Sequence, residues 1–134
     1  GGHLAVVSSI VADVPAPLRT AYAAAKAGLH GLYDALRGEL GPHNILLSIA
    51  VPGVVRTEIS QHAVTATGGE HGLLDPNQAS GDSPEACAEQ ILRGLARRRR
   101  HFYVSMTAKL RLARVMRRVA PGLLWRALSR VRVT

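Results

Sequence analysis

HLAVVSSI at residues 3–10, TAYAAAKAGLHGLYDALRGEL at 20–40 and ILLSIAV at 45–51 are the stretches that decide the fold of this 134-residue chain. The first is a short apolar run that ends in two serines. Gly1-Gly2 precede it and Pro15 and Pro17 follow, so it reads as a buried strand of the parallel-sheet kind. The second changes period: Leu29, Leu32, Tyr33, Leu36 and Leu40 fall on one stripe of a helix. Gly41-Pro42 ends that helix, a glycine past the last turn and then a residue that cannot continue it. The third is again a buried strand, closed by Pro52-Gly53. Strand, helix, strand is the α/β unit that builds a parallel sheet with helical crossovers.

Working outward, residues 54–82 are polar and rich in Gly, Thr and Ser, too long for a bare connection and of the kind that carries function or moves. Ser83-Pro84-Glu85 reads as an N-cap, a proline at the first helical position and an acid in the first turn. The helix it opens sets Cys87, Ile91 and Leu95 on one face and finishes in Arg97–Arg100. His101–Ser105 is a third strand candidate. Two or three strands do not make a self-sufficient sheet. The opening Gly1-Gly2-His3, without Met, therefore reads as a cut edge, with the rest of the sheet upstream.

Composition narrows the classes. An apolar fraction of 47% suits a globular domain, and no apolar run is long enough to span a membrane. The single cysteine, Cys87, excludes an internal disulfide, and in its helical setting it reads as a small buried hydrophobe in preference to a reactive thiol. The six histidines are scattered without ligand spacing, so no metal site is assigned. The net charge of +8 is unevenly placed: residues 1–89 hold four Lys/Arg against nine acids, and residues 90–134 hold thirteen and no acid. Any anionic partner would meet the tail.

Chemistry gathers at the ends of the first two strands. Tyr22 and Lys26 are spaced i, i+4, so they share a helix face, near the apolar stripe. A lysine on that side needs a partner or a polar cleft, and a nearby cation favours the phenolate form of a tyrosine, which suits a general acid/base. Ser9 at the carboxyl end of the first strand, and Pro52-Gly53 at that of the second, fall where open α/β sheets hold their ligands. Taken singly, each has a plain structural use, Ser9 as the cap of the next turn and Pro52-Gly53 as a strand-end turn.

Taken together, Val6-Val7-Ser8-Ser9-Ile10, Tyr22-Ala-Ala-Ala-Lys26 and Val51-Pro52-Gly53-Val54-Val55-Arg56-Thr57 resemble the second half of the short-chain dehydrogenase/reductase family. The step of 13 residues from Ser9 to Tyr22 is the family's usual one and selects Ser9 over Ser8. The resemblance covers about residues 1–105. It implies the C-terminal part of a Rossmann-type doubly wound parallel sheet and hydride transfer between NAD or NADP and an alcohol or carbonyl. It also implies roles: Tyr22 as general acid/base, Lys26 supporting it and binding the nicotinamide ribose, and Ser9 orienting the substrate oxygen. Pro52, Gly53 and the Val55 backbone would line the nicotinamide, with Thr57 near its carboxamide or the diphosphate, and Glu58 to Gly81 would form a substrate lid.

The family's Gly-rich turn, its NAD/NADP-selecting residue and its asparagine have no counterpart in the 134 residues. Without a glycine-rich turn and helix N-terminus for the pyrophosphate, this segment alone is expected neither to bind the cofactor well nor to turn over. Its uncovered faces are expected to drive association, and the complete protein is expected to be a homo-oligomer. Residues 106–134 form a basic amphipathic tail, with Leu112, Val115, Met116 and Val119 on one side and Arg111, Arg114, Arg117 and Arg118 opposite. After Pro121-Gly122 come Leu124, Trp125, Leu128 and Val131 with Arg126, Arg130 and Arg132. Two readings stand: a helix pair packed on the body or on a second subunit, and a peripheral membrane-binding module. Nucleic acid is set aside, because no aromatics interleave with the cations. The expected substrate is small and apolar, and the expected location cytoplasmic, at most peripheral to a membrane.

Overall fold

The computed structural model describes residues 1–57, 68–69 and 80–130. Strand β1 (Gly2–Val7), helix α1 (Thr20–Leu40) and strand β2 (Ile45–Pro52) form the first unit. Helix α2 (Pro84–Ala96), strand β3 (His101–Val104) and helices α3 (Ala108–Val119) and α4 (Pro121–Leu128) follow. The strands form one parallel sheet in the order β1-β2-β3, with Val7 opposite Ala50 and Pro52 opposite Val104.

The central strand is the most buried element. Leu47, Ser48, Ile49, Ala50 and Val51 are all at or below 1% exposure, as a continuous apolar run covered on both faces should be. β1 departs from the expectation of a buried strand. It lies at the sheet edge, and Leu4 and Val7 are each about half exposed because nothing among the described residues covers its outer side. The helical stripe on α1 is likewise only partly covered: Leu29, Tyr33, Leu36 and Leu40 are half-buried, while Leu32 is exposed.

α2 forms as its N-cap sequence dictates, with Ser83 Oγ accepting the Ala86 N–H at 3.1 Å and Pro84 in the first turn. It stops at Ala96, so Arg97–Arg100 lie beyond its end and not within it. Arg98 turns the chain with a φ of 54°, and Arg99 N–H donates back to Gly94 O at 3.1 Å. Cys87, Ile91 and Leu95 pack with Ala50, Phe102 and Val104. That face holds the helix: burying an aliphatic side chain is worth about 1.5–3 kcal/mol. The outward Glu89–Arg93 pair, 68% exposed at both ends, contributes about 0.5 kcal/mol. Gly94 lets the helix approach β3, since a Cβ there would meet the Phe102 ring at 2.3 Å.

The tail folds back on the body. Leu124 is buried against Ile10 and Val14, with Leu110, Ala113, Met116 and Leu128 packed around them. The packed side of α3 differs from the apolar side expected from sequence. Leu112, Val115 and Val119 are exposed, while Arg114 and Arg117 point to the body. Of the expected apolar side only Met116 packs, together with Leu110 and Ala113, and Arg114 and Arg117 flank that face where they meet Asp13 and the Ala12 carbonyl. Trp125 is also exposed, and Val131 and Arg132 lie outside the described residues.

Candidate active site

β1 ends at Val7, and the two serines that follow turn the chain away from the sheet. Ser8 N–H donates to Ala50 O at 2.8 Å, which extends the pairing by one residue. Its buried hydroxyl donates to the Lys26 carbonyl at 3.2 Å. Lys26 in turn donates Nζ to the Val7 carbonyl at 3.1 Å. This reciprocal pair ties the strand end to the helix at one point. It also gives Ser8 a structural use distinct from that of its neighbour.

Lys26 Nζ lies 5.8 Å from the centroid of the Tyr22 ring, within cation–π range and one helical turn along the same face. An ammonium carries three N–H donors, so the bond to Val7 leaves two for a ligand. Tyr22 is 36% exposed, and its face is open and not inward as the stripe suggests. Ser9 is half-buried, and its Oγ accepts the Val11 N–H at 3.3 Å, capping the 3-10 turn Ile10–Ala12. Capping spends a lone pair and not the hydroxyl hydrogen, so Ser9 keeps its donor.

Next to this corner, across the β1–β2 pairing, lies the end of β2. Gly53 N–H donates to Val104 O at 2.9 Å, and Val54 N–H to Ser105 O at 3.1 Å. A Cβ on Gly53 would meet Ser105 O at 2.4 Å, so glycine is required by the chain's own backbone at the end of β3. Val55 pairs with Asp82 in an isolated bridge, which anchors the return of the long loop. Pro52, Gly53, Val55 and Thr57 are all half-buried beside this edge. Of the expected lid, Glu58 to Gly81, only residues 68–69, 80 and 81 lie among the described residues.

Because all the strands are parallel, Ser9, the Pro52–Thr57 segment and Ser105 share the carboxyl edge of the sheet. α1 brings Tyr22 and Lys26 to the same edge, packing on β2 and on the turn after Ser9. The donor set there is a hydroxyl, a phenol and an ammonium, with backbone at the second strand end. It suits a sugar hydroxyl and a carbonyl oxygen. Among the described residues, no group of three or more His, Cys, Asp and Glu could hold a metal ion.

Sequence reasoning does not single out a second polar cluster, just past Ser9. Asp13 meets Tyr103, Arg114 and His30 there, at a cleft of about 340 Å³ that Tyr22 and Lys26 do not line. Burial first, and then the bond to Asp13, pushes the Tyr103 hydroxyl up to about 12. Burial, helped by neighbouring His30, holds His101 below its ordinary value. The one sequence signal is the isolated acid Asp13, four residues after Ser9 in a chain whose residues 90–134 hold thirteen Lys/Arg and no acid.

Comparison with known proteins agrees with this fold. The family model described as short chain dehydrogenase matches residues 1–68. Dehydrogenase/reductase SDR family member 7B of Xenopus laevis is 35% identical over 128 residues, covering 96% of this chain and 39% of the relative. Dehydrogenase/reductase SDR family protein 7-like of Drosophila melanogaster is 34% identical over 122 residues, 91% of this chain and 37% of the relative. A short chain dehydrogenase from Burkholderia cenocepacia, solved in complex with NADP, superposes with a TM-score of 0.72. It is 23% identical and covers 96% of this chain and 47% of that one. A short-chain dehydrogenase from Sphingobium yanoikuyae, solved with NADPH, gives a TM-score of 0.61 at 22% identity, covering 97% of this chain and 46% of that one. The chain thus spans about two-fifths of the length of the curated relatives. With its parallel α/β sheet and the match over its first half, the chain belongs to the short-chain dehydrogenase family.

Proposed function

We propose that residues 1–105 are the catalytic half of an NAD(P)-dependent oxidoreductase acting on a small apolar alcohol or carbonyl, with residues 106–134 packed on it as a tail. The observation that supports this reading is the reciprocal bonding of Ser8, Lys26 and Val7, which ties Lys26 to the strand end that precedes Ser9, with its Nζ 5.8 Å from the centroid of the Tyr22 ring. That the similar solved structures hold NADP and NADPH supports a nicotinamide cofactor here. When bound, the cofactor supplies the hydride in reduction and accepts it in oxidation.

The chain's own residues would do the rest. The Tyr22 hydroxyl protonates the substrate oxygen in reduction and takes that proton back in oxidation. The Lys26 cation stabilises the phenolate left behind, and its remaining N–H groups serve a ribose. Ser9 donates to the substrate oxygen and orients the carbonyl. Pro52, Gly53, the Val55 backbone and Thr57 line the nicotinamide side. A cytoplasmic homo-oligomer is the assembly we propose for the complete protein.

The test uses the protein expressed from the whole reading frame that contains this chain. Ser9→Ala should lower kcat by about 100-fold at nearly unchanged cofactor Kd. Lys26→Met should lower kcat and weaken the cofactor together. Wild-type turnover in both variants would contradict the assignment.

A second reading rests on a separate observation. The solvent-facing stripe of α3, Leu112, Val115 and Val119, is apolar and flanked by exposed Lys109, Arg111 and Arg118. Folding does not use it, since Leu110, Ala113 and Met116 supply the packed face. An apolar stripe rimmed by cations suits an anionic membrane surface, and among the described residues no helix is long and apolar enough to cross one.

A further inference from the structure

Ser9 joins the end of β1 to the 3-10 turn Ile10–Ala12, so its hydroxyl points where that turn puts it. Its own bond to Val11 N–H, at 3.3 Å, is at the long end for a hydrogen bond and holds the turn weakly. Backbone bonds close the turn, Ala12 N–H to Ser9 O at 3.0 Å and Asp13 N–H to Ile10 O at 2.9 Å, and further side-chain holds come from the C-terminal part of the chain. Tyr103 on β3 donates its hydroxyl to Asp13 Oδ2 at 2.6 Å. Arg114 on α3 places Nε 3.7 Å from the same oxygen and its guanidinium over the Tyr103 ring, 3.6 Å from the centroid. Arg117 donates Nη1 to the carbonyls of Ala12, at 3.2 Å, and Asp13. Leu124 of α4 is buried beneath them against Ile10 and Val14. β3, α3 and α4 thus converge on the five residues after Ser9.

From this convergence we infer that Asp13 and Arg117 are positioning residues that couple the C-terminal helices to the Ser9 turn and set the direction of the Ser9 hydroxyl. The inference rests on the role given to Ser9 above. Carbonyls at the end of a short helical turn have no partner within it, and Arg117 supplies one. The Asp13 carboxylate, less than a quarter exposed, receives the Tyr103 hydroxyl and the Arg114 charge together, a charge-assisted arrangement stronger than a neutral bond. The tail then belongs to the catalytic machinery through the turn. Neither residue touches substrate or cofactor in this scheme.

The experiment uses protein from the whole reading frame, with Arg117→Ala, Arg117→Lys, Asp13→Asn and, as a control, Ser9→Ala. Arg117→Ala should lower kcat about 10-fold or more while cofactor Kd stays within about twofold, because small misplacements of a catalytic group are costly. Arg117→Lys should recover part of that loss, and Asp13→Asn, which keeps an acceptor for Tyr103, should lose less than Arg117→Ala. In Arg117→Ala the amides of Val11 to Val14 should exchange hydrogen about 10-fold faster, with those of β2 unchanged. Faster exchange with wild-type kcat would overturn the positioning role. So would a loss shared by kcat, cofactor Kd and the β2 amides, which reports general unfolding. If Ser9→Ala is inactive and Arg117→Ala fully active, the coupling alone fails. If Ser9→Ala turns over like the wild type, the reading of the site fails, and the coupling has no catalytic purpose.

Discussion

Tyr103 donates its hydroxyl to Asp13 while half-buried, and burial more than that bond raises its ionisation from 10 to about 12. The folded state therefore holds the phenolic proton more tightly than the unfolded chain does. The stability this brings is complete below pH 10 and is lost as pH rises from 10 to about 12. His101 works in the opposite sense. Burial disfavours its cation, so its contribution is complete above the ordinary value of 6.5 and is lost as pH falls below it. Melting temperature followed against pH should decline on both sides of a plateau. Tyr103→Phe should flatten the alkaline limb and leave the acid limb in place. An alkaline limb unchanged by Tyr103→Phe would show that another group titrates there.

Among the elements, helix α3 carries two surfaces. One closes on Ile10 and Val14, and the other presents Leu112, Val115 and Val119 to solvent between Lys109, Arg111 and Arg118. If the outer surface binds a membrane, the protein from its whole reading frame should sediment with phosphatidylserine-containing vesicles and not with neutral phosphatidylcholine ones. Added salt should weaken that binding. Val115→Glu with Val119→Glu should abolish it without lowering the melting temperature, since both side chains are more than half exposed. Equal sedimentation of the double variant would contradict the reading. The same helix shows what sequence makes legible. The period of α1, the Ser83-Pro84 start of α2 and the Pro121 break between the last helices are local signals, and the structure follows them. Which face of α3 turns inward depends on Ile10 and Val14 and on the carbonyls of Ala12 and Asp13, far away in the chain, and no local pattern encodes such partners. Likewise the apolar run of β1 reads as buried, yet its exposure depends on what lies beside the sheet.

At the scale of the whole molecule, β1 and the outer side of α1 are uncovered among the described residues, while β2 is enclosed. Relatives more than twice as long share this segment. The segment holds the three side chains proposed for proton transfer and substrate orientation. Charge is also unevenly placed, with residues 1–89 net acidic and a basic tail that meets them at Asp13. The central claim is that this sheet edge is the proton-transfer half of a nicotinamide-dependent enzyme. It is tested most directly by Tyr22→Phe in the protein from the whole reading frame, with kcat and cofactor Kd measured on one preparation. Removing the phenolic hydroxyl should cut kcat by about 100-fold to 10,000-fold and leave cofactor Kd nearly unchanged. Turnover equal to the wild type would contradict the claim.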